Sequence, residues 1–197
     1  MTRAKPDYED VSCRCFQRPG KRNTRAILDA AARRAEETGI RNVLVATCSG
    51  RTAFEARKVF PAHIRIVAVT HFTGFEKPNH QELSDTNRRK LESLGVSVLT
   101  AQHAFGGVGR GIRKRLGTYQ LEEIMAFTLR LFGQGTKVAV ELALMASDAG
   151  LIRTDEDVIA IGGTEEGCDA ALLIRPANSS NIFDLKVKEI IGKPSSF

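Results

Sequence analysis

The sequence predicts an α/β fold of three layers, with a mostly parallel central sheet between helices. Three observations predict it. Short apolar runs at Val43–Ala46, Ile64–Val69 and Val96–Leu99 show little polar alternation, as strands buried on both faces do. Segments of helical period stand between these runs, so consecutive strands need right-handed crossovers and lie parallel. Near the carboxyl end, Asp157–Ile161 and Ala170–Ile174 flank the glycine-rich turn Gly162–Gly167, which predicts an antiparallel hairpin at the sheet edge.

In chain order, Met1–Asp10 is polar and reads as a loose arm, followed by a candidate edge strand at Val11–Phe16 and a turn at Pro19-Gly20. Asn23 or Thr24 can cap a helix in which Ala26, Ile27, Ala30, Ala31 and Ala35 follow helical spacing, and Gly39 suits its end. A second helix runs from about Thr52 to Pro61, with Ser49 or Thr52 as candidate cap. A third occupies Glu82–Leu94, with Leu83, Leu91 and Leu94 as apolar contacts. Thr100–Gly109 reads as a loop that opens the glycine run to Gly111. Two more helices follow at Tyr119–Leu131 and Thr136–Ala149, the latter apolar on most sides. Phe183–Ile191 reads as a last strand, with a helix as the alternative. No repeat or linker divides the chain, so residues 1–197 are read as a single domain.

A chain of 197 residues with 42% hydrophobic and 26% charged content suits one soluble domain with a sizeable core. The net charge of +6 favours anionic partners, but ten Phe, two Tyr and no Trp offer little for nucleic-acid stacking, and no nucleic-acid partner is expected. Met1–Asp10 has no signal-peptide character and no apolar run approaches a membrane span, so no membrane partner is expected. Cys13-x-Cys15 has the wrong spacing for a zinc knuckle or a redox motif. Four cysteines with no disulfide framework imply reduced thiols and a cytoplasmic protein, with no metal site expected.

The chemistry is expected in the loops that follow the strands. Thr47-Cys48-Ser49-Gly50-Arg51-Thr52 joins a strand end to a helix start, where free N–H groups and the helix dipole favour an anion. Arg51 can add a charge-assisted pair. Further polar loops open at Thr70 and Thr100, and in a parallel sheet all three lie at the carboxyl edge, where ligands bind. They bring His71, Gly74, His103, Gly106 and Gly107 into the candidate site. Glu141 shares a helix face with Asp148 and joins the candidates, the alternative being a pair with Lys137. The run Gly106–Gly111 does not fit the GxGxxG dinucleotide spacing, and GxSxG, HExxH and GxxxxGK[ST] are absent. No nucleophile–base pair is evident.

The segment Thr47–Ala53, the helix ending before Pro61 and the strand Ile64–Val69 ending in Thr70 resemble the carboxy-terminal domain of pyruvate kinases. The match covers Asn23–Val69 and, more loosely, Asp157–Arg175; the middle departs from it. FQRPGKRNT at Phe16–Thr24, THFTGF at Thr70–Phe75 and LRLFGQGTKVAVE at Leu129–Glu141 make the chain similar to the stand-alone pyruvate kinase carboxy-terminal-domain-like proteins. The resemblance implies a regulatory rather than catalytic domain, and a Ser/Thr-rich loop that holds the phosphate of an effector. It also implies flavin mononucleotide (FMN) as a candidate cofactor, association into a homo-oligomer, and no pyruvate kinase activity, since the catalytic barrel has no counterpart in these residues. The expected function is therefore binding of a phosphorylated small molecule, with FMN first. The alternative is an enzyme acting on a small phosphorylated metabolite or using bound flavin, with His71 or His103 as acid–base. A regulatory or structural subunit with a degenerate site is the third reading. For association, the helices at Tyr119–Leu131 and Thr136–Ala149 and the edge at Val11–Phe16 offer surfaces.

Overall fold

A computed structural model of the chain describes residues 7–197, so the amino-terminal part of the expected arm lies outside the described residues. Seven strands form one sheet: β1 (Arg14–Phe16), β2 (Asn42–Ala46), β3 (Arg65–Thr70), β4 (Val96–Thr100), β5 (Val158–Gly162), β6 (Ala170–Arg175) and β7 (Lys186–Pro194). Six α-helices stand between them: α1 (Thr24–Thr38), α2 (Arg51–Val59), α3 (Asp85–Ser93), α4 (Val108–Leu116), α5 (Leu121–Arg130) and α6 (Gln134–Asp148). The spatial order is β1-β7-β6-β5-β2-β3-β4.

Strands β5, β2, β3 and β4 run parallel, with Val43 opposite Ile66 on one side and Ile159 on the other. Strand β6 is antiparallel to β5 and to β7, so the expected hairpin is present, and the sheet continues past it through β7 and β1. The strand written as starting at Val11 is three residues long and starts at Arg14, because it pairs only where β7 supplies Gly192–Pro194.

The lack of alternation in the strands has a direct consequence. Val43, Val45, Ile66, Ala68, Ile159 and Ile161 face one core, shared with Ile27, Leu28 and Ala31 of α1, Ala53 and Ala56 of α2, and Leu91 of α3. Leu44, Val67, Val69, Val158 and Ala160 face a second core, built with α6 and Ala126 of α5. Strands β2, β3 and β5 therefore bury both faces, and the molecule has three layers. Helix α1 ends at Gly39, which takes the left-handed conformation (φ 69°) and returns its N–H to Ala35 and Glu36.

Helix α6 is the central buried helix, with twelve of its fifteen residues buried, so it offers no free surface for association. Asp148 accepts bonds from Ser179 N (3.0 Å) and Asn178 Nδ2 (3.2 Å) and so holds a 3₁₀ turn at the end of α6 remote from its start. Helix α3 starts at Asp85, not Glu82, because the Ser84 hydroxyl caps it by accepting from Asn87 N.

The glycine run read as a loop is half helical, since α4 starts at Val108. Gly109 lies against the Glu122 and Gln120 side chains at the start of α5. Gln120 and Glu123 close a capping box at that start, and Arg113 of α4 reaches Glu123 at 2.7 Å. Among the described residues no helix is long and apolar enough to cross a membrane.

Candidate functional site

The strand order reverses beside β2. From β2 the chain moves outward through α2, β3 and α3 to β4, and it returns by α4, α5 and α6 to β5, on the other side of β2. Helix α2 covers one face there and α6 the other. A crevice must open outside the carboxyl ends of β2 and β5, where successive connections part to opposite faces. A cleft of about 730 Å³ lies at this place. The loop after β2, the loop after β3, the start of α6 and the loop Gly163–Gly167 after β5 line it.

The loop after β2 is shaped by Thr47 and Gly50. The Thr47 hydroxyl accepts from Gly50 N at 3.1 Å, which closes the turn from inside. Gly50 is the N-cap of α2 at φ 94°, so neither Ser49 nor Thr52 caps it, contrary to expectation. A Cβ on Gly50 would sit 2.9 Å from Cδ1 of Leu83. The first α-helical bond runs from Phe54 N to Gly50 O (3.0 Å), which leaves the N–H groups of Arg51, Thr52 and Ala53 without acceptors in the helix. These three donors stand at a helix start, and Ser49 and Thr52 beside them line the cleft. Gly50 N, expected among those donors, is instead committed to Thr47. Arg51 pairs with Glu166 at 3.2 Å, an exposed contact that also takes Lys21. Such a surface pair is worth at most about 1 kcal/mol, so Arg51 can exchange it for a stronger anion.

The loop after β3 places His71 beside Cys48 of the Thr47–Thr52 turn. The His71 ring stacks on Phe75, with centroids 3.9 Å apart, and its Nδ1 lies 2.6 Å from Oε2 of Glu82. Cys48 Sγ is 3.7 Å from that nitrogen. Burial and the Glu82 and Glu76 carboxylates push the Cys48 thiol up to about 11, so it stays protonated at neutral pH. His103 meets Phe72 and His71 edge-on and Phe75 at a tilt, with centroids 5.2–5.4 Å away. Burial pushes it down to about 4, against the pull of Glu141, so His103 is neutral at physiological pH. Thr70 lines the floor and exchanges a 2.7 Å bond with Thr100.

Helix α6 supplies the third wall. Lys137 Nζ donates to Glu141 at 2.5 Å, and Phe105 N donates to the other oxygen of Glu141 at 2.9 Å. Both side chains are about 5% exposed. Burial lowers the Lys137 pKa, with Glu141 opposing the shift. Glu141 thus does both things considered for it, pairing with Lys137 and facing the cleft.

Of the sequence-derived candidates, Thr47, Cys48, Ser49, Arg51, Thr52, Thr70, His71, His103 and Glu141 line the cleft. Gly50 lies behind the turn. Gly74, Gly106 and Gly107 are not among the lining residues: Gly74 closes a bend with His80, and Gly106 and Gly107 abut Arg110 and Gln102. Lys137, Arg110, Arg130, Gln134 and Glu82 line it without having been expected. A lysine inside an otherwise apolar helix was the one available signal, while Arg110 and Arg130 are marked only by where α4 and α5 fold. The walls are of mixed charge: Arg51, Arg110, Arg130 and Lys137 face Glu76, Glu82, Glu141, Glu165 and Glu166.

Fold and site define a three-layer α/β domain with a ligand cleft at the carboxyl edge of its parallel strands. The chain matches the family described as pyruvate kinase, alpha/beta domain, over residues 25–172, more than half its length, and belongs to that family. Two solved structures are also similar to it. One is a pyruvate kinase from Cryptosporidium parvum, at 17% identity over 78% of this chain and 23% of that one, with a TM-score of 0.41. The other, Cryptosporidium parvum pyruvate kinase in complex with ADP, shares 17% identity over 76% of this chain and 22% of that one, with a TM-score of 0.38. The chain therefore spans less than a quarter of the length of these enzymes.

Proposed function

We propose that this domain binds a phosphorylated small molecule in the cleft, with its phosphate on the Thr47–Thr52 turn, and that FMN is the first candidate. The observation that carries the reading is the meeting of the α2 start with the reversal of strand order: three free N–H groups and two hydroxyls open into a cleft whose 730 Å³ suits a nucleotide-sized ligand. Arg110 and Arg130 also line the cleft and add cationic groups, and Phe75 and the histidines supply flat surfaces for an aromatic ring. The domain carries no pyruvate kinase activity of its own in this reading. Its four free cysteines support a cytoplasmic setting.

The test is mutagenesis of the turn. A hydrogen bond to a charged phosphate is worth about 1.5–3 kcal/mol. Ser49→Ala and Thr52→Ala should each weaken FMN roughly ten- to a hundredfold in calorimetric titration. Undiminished binding in both variants would leave the turn as an ordinary strand–helix corner.

A second reading, an enzyme that uses bound flavin or acts on a phosphorylated metabolite, is favoured by the His71–Glu82 contact. A carboxylate that orients an imidazole at a cleft wall is the arrangement of a general base. Turnover lost in His71→Gln with FMN affinity retained would support it.

A further inference from the structure

One flank of the Thr47–Thr52 turn, where Cys48 meets the loop after β3, holds a cluster that the proposed phosphate contacts do not use. Cys48 follows β2, His71 follows β3, and Glu82 precedes α3, so three connections of the sheet edge deliver one donor each. Their donor atoms all lie within 4.8 Å of one another. Cys48 Sγ is 3.7 and 3.8 Å from the two ring nitrogens of His71, and Nδ1 of His71 is 2.6 Å from Oε2 of Glu82.

We infer that Cys48, His71 and Glu82 form a site for a divalent transition-metal ion of the zinc type, with the fourth position open to the cleft. Tetrahedral zinc, with bonds of about 2.3 Å to sulfur and about 2.0–2.1 Å to nitrogen and oxygen, sets sulfur and nitrogen about 3.5 Å apart and nitrogen and oxygen about 3.3 Å apart. The sulfur lies 3.7 Å from Nδ1, close to that spacing, but it is almost as near Nε2, so the imidazole and the thiol have to turn relative to each other for one ring lone pair to point at the metal. The nitrogen–oxygen pair has to open by about 0.7 Å, a small movement for a glutamate side chain. One thiolate, one imidazole and one carboxylate select zinc, cobalt or a similar ion over magnesium or calcium, which prefer oxygen alone.

The donors are also braced. Nε2 of Gln81 donates to the His71 carbonyl at 3.0 Å, and Oε1 of Gln81 accepts from Leu83 N at 3.1 Å, so one side chain ties the His71 and Glu82 segments together. Phe75 stacks on the His71 ring at an interplanar angle of 24° and fixes its plane. Outer contacts of this sort hold ligands in place for a metal. Binding displaces the Cys48 thiol proton to solvent and leaves a thiolate–metal bond. The inference does not depend on the phosphate reading, since every ligand comes from the protein.

Exposed Cys13 and Cys15 lie 3.9 Å apart and could take up metal adventitiously. The experiment therefore uses the full chain with Cys13→Ser and Cys15→Ser. Cobalt(II) chloride alone is titrated in, without phosphate or flavin, and zinc is then added in competition. One equivalent of cobalt should bind, with a thiolate-to-cobalt charge-transfer band that zinc abolishes. Cys48→Ser should remove the band. His71→Gln and Glu82→Gln should weaken binding by at least the roughly ten- to hundredfold that loss of an outer contact costs. Circular dichroism of each metal-free variant checks its fold. Should Cys48→Ser fail to fold, zinc should protect Cys48 from iodoacetamide in the unmutated trio, read by peptide mass spectrometry. No band in the Cys13/Cys15 double variant, a band that survives Cys48→Ser, or alkylation of Cys48 undiminished by zinc would each overturn the inference and leave the cluster as a hydrogen-bonded trio.

Discussion

Lys137 and Glu141 hold opposite charges inside an otherwise apolar helix, and they form the most consequential side-chain pair in the cleft. The pair is almost fully buried at 2.5 Å. Attraction at that distance offsets much of the cost of desolvating both groups, but removing one partner leaves the other charge alone in a low-dielectric wall. Lys137→Met should therefore destabilise the fold by about 3–5 kcal/mol, and adding Glu141→Leu should recover part of the loss, since Phe105 N then lacks its acceptor. Guanidinium unfolding of the single and double variants checks this; additive losses would mean the pair is not coupled. Glu141 was visible in the sequence as an acid in an apolar helix, and its pairing with Lys137 was one of its two readings. That it also holds Phe105 N, and so anchors the loop after β4, was not visible. That contact spans 36 residues and depends on how α6 docks.

Among the elements, the β2–turn–α2 unit governs the site. The sequence predicts its strand, its turn and its helix at nearly the observed positions, because the apolar run and the change to helical period are local signals. The cap is less legible: Ser and Thr are the usual caps, yet Gly50 takes that place because the chain must turn at φ 94° against Leu83. Gly50→Ala should cost about 1–3 kcal/mol through backbone strain, before any loss of ligand contact. Thermal unfolding of the ligand-free variant measures it, and an unchanged midpoint would show that the turn relaxes freely. Helix α4 was hidden for the opposite reason. Its glycines read as breakers, whereas Gly109 and Gly111 are accommodated inside the helix, which docks on the start of α5 through Arg113 and Glu123.

At the scale of the whole molecule, the strand reversal between β2 and β5 places the cleft, and the helices on the far side of α6 set the outer surface. Three parallel strands were legible from unalternating apolar runs. The position of β5 beside β2 was not, because it is a pairing across more than a hundred residues. Helices α4 and α5 present Val108, Leu116, Leu121, Ile124, Phe127 and Leu131 to solvent. Six large apolar side chains exposed on one short stretch of chain are unusual on a lone domain, and we propose that a second copy of the chain covers them. Light scattering should give a dimer at micromolar concentration, and Phe127→Glu with Leu131→Glu should give a monomer; a wild-type monomer would contradict the proposal. The central claim, that the Thr47–Thr52 turn reads phosphate, is tested most directly by titrating the unmodified protein with FMN and with riboflavin in the same buffer. In the proposed mode the turn gives the phosphate, which riboflavin lacks, at least one charge-assisted bond, so FMN should bind at least roughly tenfold more tightly. Equal affinity for the two would contradict the account.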